Sequence, residues 1–250
     1  MTDPGPGFAL ALLVIAALYA AVGQAGATGY LAAMGALGFD PAVMKPAALA
    51  LNIVVAAIAA LVFRRAGQVS WRTFYPFAVL GAPFSLLGGM VQLPARLYYP
   101  AVGAILVLAA AQMLRAALRP RAADGPPPVE PPFWPALAAG AAVGFVSGTT
   151  GTGGGVFLAP LILAMNWVGI RRAAAVTAIF NLVNSVAALA GSYAALGRLP
   201  AELPLWLLAV AAGGAAGATI GARLLPERWL RLLLAAILLA SGLRMLWPRA

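Results

Sequence analysis

Eight long apolar runs, almost free of charge, constrain the fold of this chain more than any other feature. Each run has 18 residues or more, and a helix needs about 20 apolar residues to cross the hydrocarbon core of a bilayer. The runs span residues 8–38, 46–63, 74–93, 98–118, 133–168, 173–196, 203–222 and 229–247. We therefore predict an all-α polytopic membrane protein whose outer surface faces lipid.

Composition supports this prediction and excludes several classes of function. The chain is 63% hydrophobic and 9% charged, whereas soluble domains are about 45–50% apolar and about 25% charged. Its net charge of +10 comes from basic residues scattered between apolar runs, which is typical of membrane loops rather than of a nucleic-acid site. Cysteine and histidine are both absent, so thiol, zinc and serine–histidine chemistry are not expected. We predict no enzyme, no cofactor and no metal site.

A Pro-rich, charged segment divides the chain nearly in half. It is predicted to be a semi-rigid linker over residues 119–132, between a first membrane repeat at 1–118 and a second at 133–250. Residues 81–114 align without gaps on residues 213–246 and match at ten positions, among them Gly81/Gly213 and Met113/Met245. Such a duplication in a chain of this composition is typical of a transporter.

The first run of each half is too long for one crossing and is interrupted by glycine-rich segments at 23–29 and 147–155. If each run were one long helix, the basic residues would divide nine against seven between the two sides. If each run bends back at its glycines, three spanning helices follow in each half, the halves are inverted, and the division is eleven against five. The positive-inside rule favours the second topology. The eleven basic residues are Arg64, Arg65, Arg72, Arg115, Arg119, Arg121, Arg171, Arg172, Arg223, Arg228 and Arg231.

This topology predicts both termini outside and the linker in the cytoplasm of a bacterial inner membrane. The Ala- and Arg-rich composition is typical of GC-rich bacterial genomes. At each break the chain could form a re-entrant hairpin or a pair of thin spans. Both forms return the chain to the side where it began, so both remain open. Assembly into a homo-oligomer also remains open.

The glycine-rich breaks are candidates for a binding site. Backbone that leaves the helix at membrane depth persists only where protein or water satisfies it, and a helix that restarts there directs free N–H groups and a positive dipole end at the break. The alternative is that the glycines merely allow close helix packing. We predict substrate contacts at Gln24, Gly26, Thr28, Gly29, Thr149, Thr150, Gly151, Thr152, Gly153, Gly154 and Gly155.

A polar stripe follows the second break. Helical spacing places Thr177, Asn181, Asn184 and Ser185 on one face, which indicates either a polar cavity or hydrogen bonds between helices. Asn52 is the one polar counterpart in the first half. We predict that these five residues complete the substrate site.

The second half resembles the TauE/SafE (sulfite exporter) family of membrane permeases. Its motif is Gly-x-Gly-Gly-Gly with Pro-Leu five residues later, then Arg-Ala and a helix bearing Thr, Asn and Ser. The residues that carry it are Gly151, Gly153, Gly154, Gly155, Pro160, Leu161, Arg172, Ala173, Thr177, Asn184 and Ser185. In the first half, Gly26-Ala27-Thr28-Gly29 stands where a fuller glycine cluster is usual. The resemblance covers nearly the whole chain and implies movement of sulfite, sulfonates and other small sulfur or carboxylate anions.

Charge placement bears on energy coupling. The acidic residues all fall in predicted loops or termini: Asp3, Asp40, Asp124, Glu130, Glu202 and Glu227. A carboxylate proton relay is therefore not expected, whereas a monoanion that leaves a cell gains about 2.3 kcal/mol per 100 mV, which favours export. Lys45 is interpreted as an interfacial snorkeller or as an anion-attracting gate residue.

Two rival functions remain open. A drug/metabolite-type permease also has two inverted halves but would carry a neutral or cationic metabolite. A non-transport scaffold subunit would show a dry, fully packed midplane. Aromatic residues near the run ends, including Tyr98 and Trp206, are predicted to be interfacial anchors.

Overall fold

The computed structural model describes residues 5–21, 24–118, 129–224 and 227–247, and these residues form helices joined by short connections, without a strand. In chain order the helices are α1 Gly5–Ala21, α2 Ala27–Ala36, α3 Pro41–Arg65, α4 Trp71–Met90, α5 Ala95–Leu118, α6 Phe133–Thr150, α7 Gly155–Ala164, α8 Ile170–Gly191, the 3₁₀ helix Tyr193–Arg198, α9 Leu203–Leu224 and α10 Glu227–Leu246. This architecture confirms the prediction of an all-α polytopic membrane protein. Most of the predicted linker, residues 119–128, lies outside the described residues.

Among the described residues, each half contains five α-helices with the short one in second place. A long helix, a ten-residue helix and three further long helices make up α1–α5, and α6–α10 repeat that series. The predicted runs at 8–38 and 133–168 are therefore each two helices. Their breaks fall within the two glycine-rich segments.

Within the part of the chain that the structure describes, four helices are long and apolar enough to cross a membrane: Pro41–Arg65, Trp71–Met90, Ala95–Leu118 and Arg172–Gly191. Shorter apolar helices occur at Pro6–Ala21, Gly155–Ala164 and Leu203–Ala218 within the described residues. Two of these spanning helices, α3 and α4, have side-chain caps at their N-termini. Asp40 accepts a hydrogen bond from the Ala42 N–H at 2.7 Å with Pro41 in the first helical turn, and Ser70 caps α4, as such residues do at helix starts.

Close glycine contacts show that α4, α6 and α8 run in the same direction. A Cβ at Gly140 would collide with the Phe77 carbonyl, one at Gly144 with Gly81, and one at Gly148 with Ser85. The residue numbers rise together on both helices, so α4 and α6 are parallel and their backbones touch, as small residues permit in membranes.

The contacts of α8 with α4 have the same sense. A Cβ at Gly81 would stand 2.7 Å from the Phe180 ring, and Ser85 Oγ donates to the Asn184 carbonyl at 2.8 Å. Since α6 and α8 both run parallel to α4, the short helix α7 between them returns the chain toward the side where α6 begins.

Four of the remaining long helices pack in two further pairs. Gly213 meets the Leu13 carbonyl and Gly217 meets the Ala17 carbonyl, so α1 and α9 are parallel. In α5 and α10 the order is reversed, because Gly103 approaches Leu246 while Gly242 approaches Val107. Each half therefore packs its first helix against the fourth helix of the other half.

The face where α3 ends and α4 begins carries basic residues. Arg64 and Arg65 close α3, and Arg72 forms an ion pair with Glu130 at 3.3 Å. Next to Glu130, the Val129 N–H donates to the Asn166 carbonyl beyond the end of α7. The start of α6 and the end of α7 therefore lie together on this face.

Two of the aromatic residues predicted to be interfacial anchors are buried instead. Tyr98 and Trp206 are each 1% exposed, whereas Trp71 is 65% and Trp134 74% exposed. Trp206 packs edge-on against Phe8. Tyr98 and Trp206 are buried because neighbouring helices cover the positions where α5 and α9 begin, which the spacing along the sequence does not reveal.

Candidate functional site

Both helix breaks depend on glycines in the left-handed backbone region. Gly26 precedes α2 with φ 95°, and Gly154 precedes α7 with φ 88°. Gly151 and Gly153 also have positive φ, at 84° and 76°. Side chains other than glycine are strained in this region, so these glycines explain why the helices stop and restart here.

Two asparagines, one in each half of the chain, cap the two restarting helices. Asn52 Oδ1 on α3 accepts a hydrogen bond from the Ala27 N–H, the first of α2, at 3.1 Å. Asn181 Oδ1 on α8 accepts one from the Gly155 N–H, the first of α7, also at 3.1 Å. Gly26 and Gly154 have no side chain that could cap their own helices, so the cap comes from the following long helix.

The two caps are connected across the halves. Asn52 Nδ2 donates to Ser185 Oγ at 2.8 Å, and a Cβ at Gly153 would lie 2.3–2.6 Å from neighbouring amide atoms, with Asn181 Oδ1 at 2.6 Å. Asn52, Asn184 and Ser185 are completely buried, and Asn181 is 5% exposed. The hydrogen bond between Asn52 and Ser185 thus joins α3, which caps α2, to α8, which caps α7, near the middle of both long helices. We call these three residues the asparagine layer (Asn52, Asn181 and Ser185).

One small cavity lies between the two helix starts. The first two residues of α2 (Ala27 and Thr28) and of α7 (Gly155 and Val156) all line it. Its volume is about 10 Å³, which is room for about one water molecule. The region between the two helix starts is therefore closely packed in this conformation, but a small space remains beside the polar groups that line it.

Seven of the sixteen predicted site residues line this cavity: Gln24, Gly26, Thr28, Thr152, Gly155, Thr177 and Asn181. The structure also places Tyr19 there, a residue that the sequence analysis missed. Tyr19 Oη and Thr28 Oγ1 are 2.9 Å apart. Tyr19 lies inside an apolar run. The one sequence feature that could have identified it is Thr28, the polar residue nine positions later that its hydroxyl group contacts.

The other nine predicted residues surround the cavity without lining it. Gly29 packs against Ile15 and Tyr19 of α1, and Gly151 packs against Lys45. Thr149 and Thr150 return hydrogen bonds to carbonyls of their own helix. The rest are Asn52, Gly153, Gly154, Asn184 and Ser185, which belong to the asparagine layer or to its immediate contacts.

Two buried polar side chains near the cavity lack hydrogen-bond partners. Thr177 Oγ1 and both side-chain atoms of Asn184 are unpaired among the described residues. Asn184 Nδ2 lies 3.2 Å from the position that a Cβ on Gly154 would occupy. An unpaired amide in a buried site costs free energy. We therefore expect a bound ligand, or a different conformation of the protein, to supply the missing hydrogen bonds.

Lys45 does not snorkel to the interface, which was one of the two interpretations of this residue, and its interpretation as an anion-attracting residue stays a prediction. It is 6% exposed, and its ammonium donates to the carbonyls of Gly88, Gly89 and Val91 at 3.1, 2.7 and 2.8 Å. Gly88 and Gly89 lie in the last turn of α4, and Val91 is its C-cap residue. The Gly88 carbonyl also accepts a hydrogen bond from the Val91 N–H, and the Gly89 carbonyl accepts one from Ser192 Oγ. The ammonium is therefore a cap for the end of α4 and does not reach out to solvent as a snorkelling lysine does.

Comparisons with known proteins agree with this architecture. The family model described as "Sulfite exporter TauE/SafE" matches residues 8–245. The chain is 57% identical over 241 residues to the "Probable membrane transporter protein y4hK" of Sinorhizobium fredii, and the alignment covers 96% of this chain and 98% of that protein. No solved structure matches this chain. The resemblance seen in the sequence is thereby confirmed, and the chain belongs to the sulfite exporter TauE/SafE family of membrane transporters.

Proposed function

We propose that this protein transports a small anion, such as sulfite, a sulfonate or a related carboxylate, through the site between α2 and α7. One observation carries the proposal most directly. Two helices restart after glycine-rich breaks, and the first two residues of both line a single cavity. Helix starts present unsatisfied N–H groups and a partial positive charge, so two of them at one point favour an anion.

The lining of the cavity fits an anion better than a cation. It contains the hydroxyl groups of Thr28, Thr152 and Thr177 and the amide of Gln24, and no ionisable carboxylate or basic side chain among the described residues. A cation there would face two positive dipole ends without a compensating carboxylate. This asymmetry favours an anion over the cationic cargo of a drug/metabolite-type permease.

Transport through this site requires the cavity to enlarge. Its volume of about 10 Å³ holds a water molecule but not an oxyanion. In our proposal, the present conformation is a closed state of an alternating-access cycle. Separation of α2 and α7 would expose their N–H groups and give Thr177 and Asn184 a hydrogen-bonding partner.

We also propose that the two halves lie in the membrane in inverted orientation. The parallel directions of α4, α6 and α8, with α7 returning between them, support three net crossings in each half. The antiparallel pairing of α5 with α10 supports opposite directions for the two final helices. With the positive-inside rule, this topology places both termini outside and the basic face that contains Arg72 in the cytoplasm.

Export is the direction that we propose. Among the described acidic residues, Asp40, Glu130 and Glu202 lie outside the α-helices and Glu227 is the first residue of α10. None of them lies in the interior of a spanning helix, where a carboxylate could couple flux to protons. A negative interior drives a monoanion outward with about 2.3 kcal/mol per 100 mV. Potential-driven flux therefore suffices.

Flux from proteoliposomes tests the proposal. The purified protein is reconstituted in vesicles loaded with radiolabelled sulfite, and the potential is set with potassium and valinomycin. We expect efflux faster than from protein-free vesicles and further acceleration when the interior is made negative. Efflux that is no faster than in protein-free vesicles for sulfite, methanesulfonate and acetate would reject anion transport.

Competition separates the rival permease. Unlabelled methanesulfonate and acetate, supplied inside the vesicles, should slow sulfite efflux, whereas choline and a neutral amide at equal concentration should not. If choline or the neutral amide is itself carried and the anions are not, the protein is a drug/metabolite-type permease. If no solute moves, the scaffold alternative is supported.

A further inference from the structure

A second and larger cavity opens at the face where α3 and α5 begin and α4 and α8 end. Its volume is about 380 Å³, enough for a small organic anion with several waters. Polar side chains in its lining are Asp40, Lys45, Gln92, Tyr98, Ser192 and Arg198. We call this cavity the vestibule. In the proposed topology it faces the outside of the cell.

The vestibule carries an excess of positive charge. Lys45 and Arg198 face one carboxylate, that of Asp40. The Asp40 carboxylate already accepts the Ala42 N–H at the start of α3. The Arg198 side chain, by contrast, makes no ion pair or hydrogen bond with the residues that the structure describes. The vestibule thus contains an exposed guanidinium whose donors are available to a ligand.

The base of the vestibule touches the glycine-rich break. Tyr98 Oη donates to the Thr150 carbonyl at the end of α6 at 2.9 Å. A Cβ at Gly151 would lie 3.2 Å from Lys45 Cα. Lys45 precedes Asn52 by seven residues on α3, which is about 10 Å along a helix. The vestibule and the small cavity between the starts of α2 and α7 are therefore arranged one above the other. Lys45, Tyr98 and the glycine-rich break lie between them.

We propose that the vestibule is a second anion-binding site, in which Arg198 binds the anion and Lys45 adds to the positive potential. The ligand class is a small sulfonate, sulfite or carboxylate, whose oxygens match the planar donors of a guanidinium. The proposal rests on the proposed anion transport for its biological meaning. It is nevertheless tested by binding alone, because the charges are present whether or not the central site transports.

The natural absence of cysteine allows a direct test. A single cysteine is introduced in the vestibule as Ala42→Cys, and a control cysteine outside it as Leu37→Cys, which replaces an exposed residue just beyond α2. In detergent micelles, both sides of the protein are accessible. The rates of modification by a negatively charged and a positively charged methanethiosulfonate reagent are compared at each site.

The expected result is a higher ratio of anionic to cationic modification at Ala42→Cys than at Leu37→Cys. Adding Arg198→Gln should lower the vestibule ratio by about fivefold, since loss of one charge slows one reagent and speeds the other. Arg244→Gln, which removes an exposed charge outside the vestibule, should change the ratio less than twofold. A ratio that is unaffected by Arg198→Gln would overturn the proposal.

Protection supplies the second readout. Methanesulfonate at millimolar concentration should slow modification of Ala42→Cys and should lose this effect when Arg198 is replaced by Gln. Equal slowing with and without Arg198, or no slowing at all, would contradict a vestibule anion site. These outcomes are independent of flux, so a protein that fails to move sulfite but shows Arg198-dependent protection would reject the transport proposal and retain the vestibule site.

Discussion

Asn52 donates a hydrogen bond of 2.8 Å from its Nδ2 atom to Ser185 Oγ, and the two residues belong to different halves of the chain. The same Asn52 side chain accepts the Ala27 N–H at the start of α2. The start of one broken helix is thereby connected to the long helix that holds the start of the other. A movement that separates the two halves must break or exchange this hydrogen bond.

Replacing Asn52 should destabilise the fold more than replacing Asn181. Asn52→Ala removes two hydrogen bonds and leaves the Ala27 N–H without its cap, whereas Asn181→Ala removes the single bond to Gly155. We expect losses of about 2 and about 1 kcal/mol. The measurement is thermal unfolding of purified variants in detergent. Gln68→Ala, in a polar turn, serves as the control, and equal losses for the two asparagines would contradict the assignment.

A double-mutant cycle tests the connection between the halves. Asn52→Ala, Ser185→Ala and the double variant should show a coupling energy of about 0.6–1.7 kcal/mol, the range of hydrogen bonds between membrane helices. Additive losses within about 0.3 kcal/mol would show that the contact between Asn52 and Ser185 contributes nothing.

Close packing of α4 and α6 predicts a steep response to a single methyl group. Gly144→Ala places a Cβ against the Gly81 carbonyl, and backbone cannot yield as a flexible side chain does, so we expect a loss of about 1–3 kcal/mol. Gly169→Ala is the matched control, because nothing lies within 4 Å of its Cβ position and its φ of −67° suits alanine. A loss at Gly169 as large as that at Gly144 would argue against backbone contact as the cause.

Thr177→Val separates ligand binding from stability. The threonine hydroxyl is buried without a partner, so its replacement by a methyl group should leave the unfolding temperature unchanged or raise it. If the hydroxyl contacts the anion, the half-saturation concentration for sulfite should rise about tenfold, equivalent to about 1.4 kcal/mol. Kinetics over a range of sulfite concentrations measure this change. Unaltered kinetics would remove Thr177 from the site.

Local sequence features predict the helices and their breaks well. Apolar runs locate α3, α4 and α5 because lipid requires long uninterrupted helices, and the breaks at Gly26 and Gly154 follow from the backbone freedom of glycine. These features depend on neighbouring residues along the chain. They are therefore visible without the tertiary structure.

The roles of individual polar residues are less predictable. Asn181 lines the small cavity, and its substrate contact stays a prediction, but the sequence does not reveal that its Oδ1 atom caps α7, because the packing of α8 decides which N–H it meets. Lys45 resembles an interfacial lysine in the sequence, yet the end of α4 supplies three carbonyls to its ammonium. In both cases the partner is distant in the chain, and no spacing rule identifies it.

The most direct test of the central claim is sulfite flux through two matched glycine variants. Gly154→Leu and Gly38→Leu both place leucine at a positive φ, but Gly154 is crowded by Phe180, Asn184 and Ser147, whereas nothing lies within 4 Å of the Cβ position at Gly38. With both variants shown to be folded and reconstituted in equal amounts, Gly154→Leu should reduce flux by about tenfold or more, while Gly38→Leu retains most of it. Equal flux through Gly154→Leu and the unmodified protein would contradict an anion site between the two broken helices.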